Sequence, residues 1–389
     1  MRALPLFWIL CCFLFGSSHA TADTDRSQLR SIIDNAVRPV IEQYDVPGMA
    51  IAVTKDGERY FYHAGVMSRE TRHPITSNTL FELGSISKTF TATLATYAQQ
   101  DGKLSLDDKI SKHLPALSGS SFEHISLLNL ATHTAGGLPL QVPDDIRSND
   151  QLMNYLRQWR PAFGAGTHRS YSNISIGLLG VVAAASMRLP FEDAIEKKLF
   201  PGLGMTHSYI RVPADRTQHY AQGYTRKDAP VRLNPGVLAS EAYGVKSSAA
   251  DMIRFIEANM QMLALDPKLQ RALTDTHAGY FKAGDMTQDL IWEQYPYPID
   301  LKQVLSGNSD AMVYESTPVT SLNGSMPLAT NVMINKTGST NGFAAYVAFI
   351  PAKKLGIVML ANKNYPAAAR VTAAYRILTA LDKQMTGAR

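Results

Sequence analysis

Beyond position 12 the sequence has no cysteine: its two are Cys11 and Cys12. That excludes a disulfide framework, a thiolate nucleophile and a cysteine-based metal site from the rest of the chain. There is no dense run of Lys or Arg either. The net charge of +5 is scattered, so nucleic acid is a poor partner for it. No repeat or low-complexity tract is present. After the first twenty residues there is no apolar stretch long enough to span a bilayer. With 18% charged and 45% hydrophobic residues over 389 positions, the composition is that of a globular protein with a large core.

The first twenty residues read as an export signal. Arg2 supplies a positive start, Leu4 to Phe15 is a short apolar stretch, and Ser18-His19-Ala20 has small residues where a signal peptidase reads. Cleavage is expected after Ala20. Both cysteines would leave with the signal, and the mature chain would rely on its core alone, as suits a bacterial periplasm. A monomer with no stable membrane insertion is expected.

What is present is organised around Phe81-Glu82-Leu83-Gly84-Ser85-Ile86-Ser87-Lys88-Thr89-Phe90. Ile86, Phe90, Leu94 and Tyr97 recur at helical spacing, so Ser85 and Lys88 lie one turn apart on the same side. A serine at a helix start sits beside unpaired N–H groups and the positive end of the dipole. A lysine one turn in would be desolvated, which disfavours its charged form and lets it take the serine's proton. Alone, such a four-residue pattern recurs by chance in many helices.

Around this centre, Ser27 to Tyr44 has a helical pattern. Met49–Thr54 and Arg59–Val66 flank Asp56-Gly57 as a hairpin. Helical stretches are expected near 126–132, 149–159, 175–187, 191–200 and 249–263. Strand runs return at 332–336, 344–350 and 355–360, and an amphipathic helix at 368–383 closes the chain. The long connection 230–243 is of a kind that borders sites. The expectation is an α/β (α+β) fold. An antiparallel sheet flanked by terminal helices would be built from residues 21–100 and 308–389, and residues 101–307 would form a mostly helical second domain. The Ser85 helix would lie at the seam.

Two further motifs follow in order. Tyr171-Ser172-Asn173 precedes a helix, and Lys336-Thr337-Gly338 ends a strand. A phenol beside two ammonium groups has its anion favoured, so Tyr171 can act as a base. Asn173 offers an amide donor and acceptor. Lys336 offers a fixed charge to a substrate carboxylate, Thr337 a hydroxyl, and Gly338 a close approach to the strand edge. The N–H groups of Ser85 and Ser339 could then form an oxyanion hole. Each piece has a plainer reading: Tyr171 as an ordinary buried tyrosine, Asn173 as a helix cap, Lys336 as a solvated strand end. All three motifs in one order argue against coincidence.

With these motifs the chain resembles the class C β-lactamases of the serine β-lactamase and penicillin-binding superfamily. The likeness extends to Leu130-Ala131-Thr132, Gly136-Gly137-Leu138-Pro139-Leu140-Gln141, Glu241-Ala242-Tyr243-Gly244-Val245-Lys246 and Leu360-Ala361-Asn362-Lys363-Asn364-Tyr365-Pro366. The resemblance implies β-lactam substrates, no metal or other cofactor, and an acyl-serine mechanism. It makes Ser85 the nucleophile, with Lys88 and Tyr171 sharing the proton transfers. It puts Asn173 and Gln141 at the amide side chain of the drug, and Lys336, Thr337 and Asn364 near its carboxylate. Tyr243 and Glu293 line the site, and Arg370 supports the carboxylate side. The sequence departs from the family at Ala367 (often asparagine), His133 (usually tyrosine) and Ile291 (usually glycine), which bears on the substrate profile. No acidic general base of the class A kind is present. His133 reads as a buried, hydrogen-bonded histidine. A D-alanyl-D-alanine carboxypeptidase or esterase, and a drug sensor that acylates once, are the competing functions.

Overall fold

The computed structural model describes residues 17–326 and 329–387. The features expected of an export signal at Arg2, Leu4 to Phe15, Cys11 and Cys12 lie outside the described residues. The first helix, α1, runs Ser17–Tyr44.

A nine-stranded sheet forms the frame. Its strands, in chain order, are β1 (Gly48–Lys55), β2 (Glu58–Gly65), β3 (Gly279–Ala283), β4 (Met286–Gln288), β5 (Glu293–Pro296), β6 (Thr320–Met326), β7 (Val332–Ser339), β8 (Ala344–Ile350) and β9 (Leu355–Ala361). Across the sheet they stand β6-β3-β4-β5-β7-β8-β9-β1-β2, and every pairing is antiparallel. The β1–β2 turn is Asp56-Gly57, with φ of 51° and 92° as a two-residue turn of the type I′ hand demands.

Central strands bury both faces. Along β1, Met49, Ile51 and Val53 pack into one core with Val37 of α1 and Ile377 and Leu378 of the C-terminal helix. Their neighbours Ala50 and Ala52 face a second, larger core. β9 divides the same way, with Ile357 and Met359 on the first side and Val358 and Leu360 on the second. Successive side chains point to opposite faces. A strand covered on both sides therefore reads as a continuous apolar run, which is why these strands stand out in the sequence.

The larger core is filled by helices α2 (Ser87–Gln100), α3 (Asn173–Ser186) and α4 (Ala249–Asn259). The terminal helix α5 (Ala367–Gly387) lies with α1 on the other face. α2 differs from the one-sided helix its spacing predicts. Nearly all of it is buried, including Lys88 and four threonines. Each threonine hydroxyl is satisfied by a backbone carbonyl: Thr89 donates to Ile86 (2.8 Å), Thr91 to Glu241 (2.6 Å), Thr93 to Thr89 (2.8 Å) and Thr96 to Ala272 (2.8 Å). Such self-capped hydroxyls sit in a core without the cost of an unpaired polar group. They mask the helix's central position in any hydropathy reading.

The mixed α/β class with a large antiparallel sheet is as expected, but the boundary at 307/308 is not. β3, β4 and β5 fall within 101–307 and pair into the main sheet, with β5 against β7. The sheet portion of the chain therefore resumes at Gly279. These strands are short and carry Lys282, Thr287, Gln288, Glu293 and Gln294, so they lack the apolar run by which buried strands are recognised. Among the described residues no single helix is long and apolar enough to cross a membrane.

Candidate active site

Ser85 lies in a 3-10 turn, Gly84–Ile86, that leads directly into α2. The turn is pressed against the end of β7. A Cβ on Gly84, whose φ is +53°, would stand 2.4 Å from the Ser339 carbonyl oxygen, and one on Gly338 would stand 2.0 Å from that of Leu83. Only glycine at both positions permits this approach. The contact sets Ser85 and Ser339 side by side at the lip of a cleft of ≈ 550 Å³.

Lys88 is fully buried, and its Nζ donates to Ser85 Oγ and to the Ala242 carbonyl, each at 2.9 Å. Burial lowers its pKa to about 8, aided by the charge of Lys336 and opposed by Tyr171. Tyr171, also buried, has the ammonium groups of Lys88 and Lys336 and the guanidinium of Arg169 5.2, 5.3 and 5.4 Å from its ring centre. Burial alone would raise the phenol. Lys336, Lys88 and the Ser85 hydroxyl outweigh it and bring the pKa down to about 8. Two groups that ordinarily titrate at about pH 10 or above are thus poised nearer neutrality beside one serine hydroxyl.

The charges are held in turn. Lys336 is 2% exposed and not a solvated strand end. Its Nζ donates to Glu293 Oε1 at 3.4 Å, and Arg169 Nη2 reaches the same oxygen at 3.4 Å. Arg169 is fixed further by Gln288 Oε1 and the Met312 carbonyl, each at 2.6 Å. Asn173 opens α3, but Ser172 is the cap, its Oγ accepting from Ser175 N at 3.1 Å. That frees the Asn173 amide: Nδ2 donates to Gln141 Oε1 at 2.8 Å, while Oδ1 has no protein partner. On the far side, Arg370 of α5 donates from Nη2 to Ser339 Oγ (2.7 Å) and from Nη1 to the Tyr365 carbonyl (3.0 Å), and Asn364 Nδ2 donates to the Thr340 carbonyl (2.7 Å).

The cleft wall takes in Ser85, Gln141, Tyr171, Asn173, Tyr243, Glu293, Lys336, Thr337, Gly338, Ser339, Asn364 and Arg370. Lys88 stands just behind it on Ser85. So the structure brings every candidate of the sequence to one place, along with Val231 and Arg232 of the long connection. The family model for β-lactamases matches residues 33–382. The chain belongs to the β-lactamase family.

A β-lactamase of Pseudomonas fluorescens is 48% identical over 357 residues, which is 92% of this chain and 100% of that relative. A class C β-lactamase solved in complex with cefoxitin matches with a TM-score of 0.90 at 53% identity, covering 92% of this chain and 99% of the other. A β-lactamase/D-alanine carboxypeptidase from Pseudomonas syringae matches with a TM-score of 0.89 at 52% identity, covering 90% and 99%. Within the β-lactamases this one is of class C, a serine hydrolase.

The three departures lie in different surroundings in this β-lactamase. His133 is buried, its ring centre 4.4 Å from that of Tyr171 with the planes tilted by 40°, and its Nδ1 accepts from Ser172 N at 3.3 Å. Burial, with Arg169, Lys88 and Lys336 nearby, pushes its pKa well below the usual value, so it stays neutral at pH 7. Ile291 holds a φ of +70°, a conformation glycine adopts freely, and is packed into the larger core. Ala367 lines the cleft. Sequence reasoning missed Arg169 and Arg226. Arg169 lies two residues before Tyr171, and nothing local marks it. Among the described residues no group of three or more His, Cys, Asp or Glu side chains could hold a metal ion.

Proposed function

We propose that this β-lactamase hydrolyses cephalosporins and penicillins in the periplasm through an acyl-enzyme on Ser85. The observation that carries the reading is the Ser85 hydroxyl held at 2.9 Å by a buried Lys88, beside a tyrosine whose pKa Lys336 and Lys88 bring within reach. The Ser85 proton passes to the Lys88–Tyr171 pair as Oγ attacks the ring carbonyl. The N–H groups of Ser85 and Ser339 receive the oxyanion. The ring C–N bond then breaks, and the pair returns the proton to the departing nitrogen. Water attacks the ester with the same pair as base, which restores Ser85.

Asn173 and Gln141 hold the amide side chain of the drug. Lys336, Thr337 and Asn364 meet its carboxylate with Arg370 behind them, and Tyr243 and Glu293 complete the wall. The protein acts as a monomer. Its export rests on the N-terminal pattern, and the exported product is expected to have the intact mass of a chain starting at Thr21. Mass retaining Cys11 and Cys12 would count against that.

Rapid mixing with a chromogenic cephalosporin in excess tests the chemistry. Many turnovers per enzyme are expected, whereas one equivalent of product and then a flat trace would leave only a drug sensor. The carboxypeptidase named for the P. syringae neighbour supports a second reading, checked by D-alanine release from a D-alanyl-D-alanine peptide.

A further inference from the structure

Arg226 is exposed on the cleft wall, in the loop after the short strand Gly223–Tyr224. Its Nε donates to Asn364 Oδ1 at 3.2 Å. Arg370 lines the same end of the cleft, almost wholly buried, with its Nε unpartnered. Among the described residues, neither guanidinium forms an ion pair. Two acids of this region are engaged elsewhere. Asp228, two residues on, pairs with Arg69 (3.0 Å) and Lys363 (2.5 Å), and Glu293 is shared by Lys336 and Arg169. Asp310 lines the cleft without an ion pair of its own. The two arginines are near enough to feel each other: burial chiefly, and also the charge of Arg226, bring Arg370 down to about 10. Ala367, one helical turn before Arg370, presents only a methyl group to this wall.

Two like charges at one end of a cleft, neither held in an ion pair, are a ready site for an anion. The present partner of Arg226 is a neutral amide oxygen met by one N–H, whereas a carboxylate adds an opposite charge and two oxygens that a guanidinium can meet together. A carboxylate entering here would draw the guanidinium off Asn364. Resting on the β-lactam reading above, we propose that Arg226 is a specificity-determining residue that leaves Asn364 to pair with the carboxylate of the bound β-lactam. The loop, and not Lys336 alone, then reads substrate charge.

The test compares kcat/KM for a chromogenic cephalosporin and for its methyl ester, which lacks the negative charge, in the wild type, Arg226→Ala and Arg226→Lys. Arg226→Ala should lower kcat/KM for the acid roughly three- to ten-fold more than for the ester, the scale of a charged contact weakened by exposure. Arg226→Lys should recover part of the difference. Added salt should depress the wild type's rate on the acid more steeply than the variant's. Equal effects on acid and ester, in an enzyme that turns over both, would overturn the proposal. Failure of the wild type to turn over either would overturn the β-lactam reading and this proposal with it, and it would be seen before any variant is made.

Discussion

Replacing Lys336 by alanine should move the pH at which the enzyme becomes active. The Lys336 ammonium lies 5.3 Å from the Tyr171 ring centre and lowers the pKa of both Tyr171 and Lys88. A unit charge at that distance, with an effective dielectric constant of about 20, interacts by about 3 kcal/mol, or about 2 pK units. Removing it also leaves Glu293 with Arg169 as its remaining cation and one positive charge fewer against it, and that carboxylate raises the Tyr171 pKa. Both changes have the same sign. In the wild type the pair gains its basic form as pH rises through about 8. In Lys336→Ala the ascending limb of kcat/KM should shift to higher pH by about 1 to 2 units, the remainder being taken up by relaxation. The assay uses the methyl ester of a cephalosporin, so that loss of a carboxylate contact does not mix with the shift. Glu293→Gln is the opposite perturbation. It removes the anion and leaves the cations, so its limb should move to lower pH. The limb reports the pair and not one residue. A Lys336→Ala limb that stays in place or falls would refute the electrostatic argument, as would two variants moving the same way.

Ser85→Ala should remain folded and form no covalent adduct with a β-lactam by mass spectrometry; an adduct would show that another residue is attacked. Tyr171→Phe should slow turnover by about 10²–10⁴-fold, the range for losing a general acid or base, and full activity would assign that work to Lys88. Gly338→Ala would put a Cβ 2.0 Å from the Leu83 carbonyl oxygen and force β7 away from the Ser85 turn. Loss of one oxyanion donor costs about 10²–10³ in kcat, so a drop of that order is expected with secondary structure kept by circular dichroism; unchanged kcat would show that the contact does not set the site.

Local pattern carried a good deal of this protein. The Ser85–Lys88 spacing needs only helical geometry, and the structure joins the two by a hydrogen bond of 2.9 Å. Asp56-Gly57 could close only one kind of hairpin, and β8 and β9 announce themselves because strands buried on both faces are apolar throughout. The same logic explains what was not legible. β3, β4 and β5 carry polar side chains at alternate or adjacent positions, and only their pairing to β7 and β6 makes them part of the sheet. α2 looked one-sided because its threonines are polar by composition, yet backbone carbonyls of three different segments satisfy them.

The site divides in the same way. Residue types in order pointed to the nucleophile and its neighbours, since the chemistry depends on which groups are present. The working state of those groups depends on burial and on distances through space. Tyr171 is brought near neutrality by cations 83 positions upstream and 165 downstream in the chain, at Lys88 and Lys336, and Lys336 is held by a glutamate on the neighbouring strand. Arg226 reaches Asn364 across 138 positions. Sequence by itself determined the reagents and the elements that carry them. Tertiary packing decided their protonation and their reach, because Coulomb interactions and desolvation act through space and not along the chain.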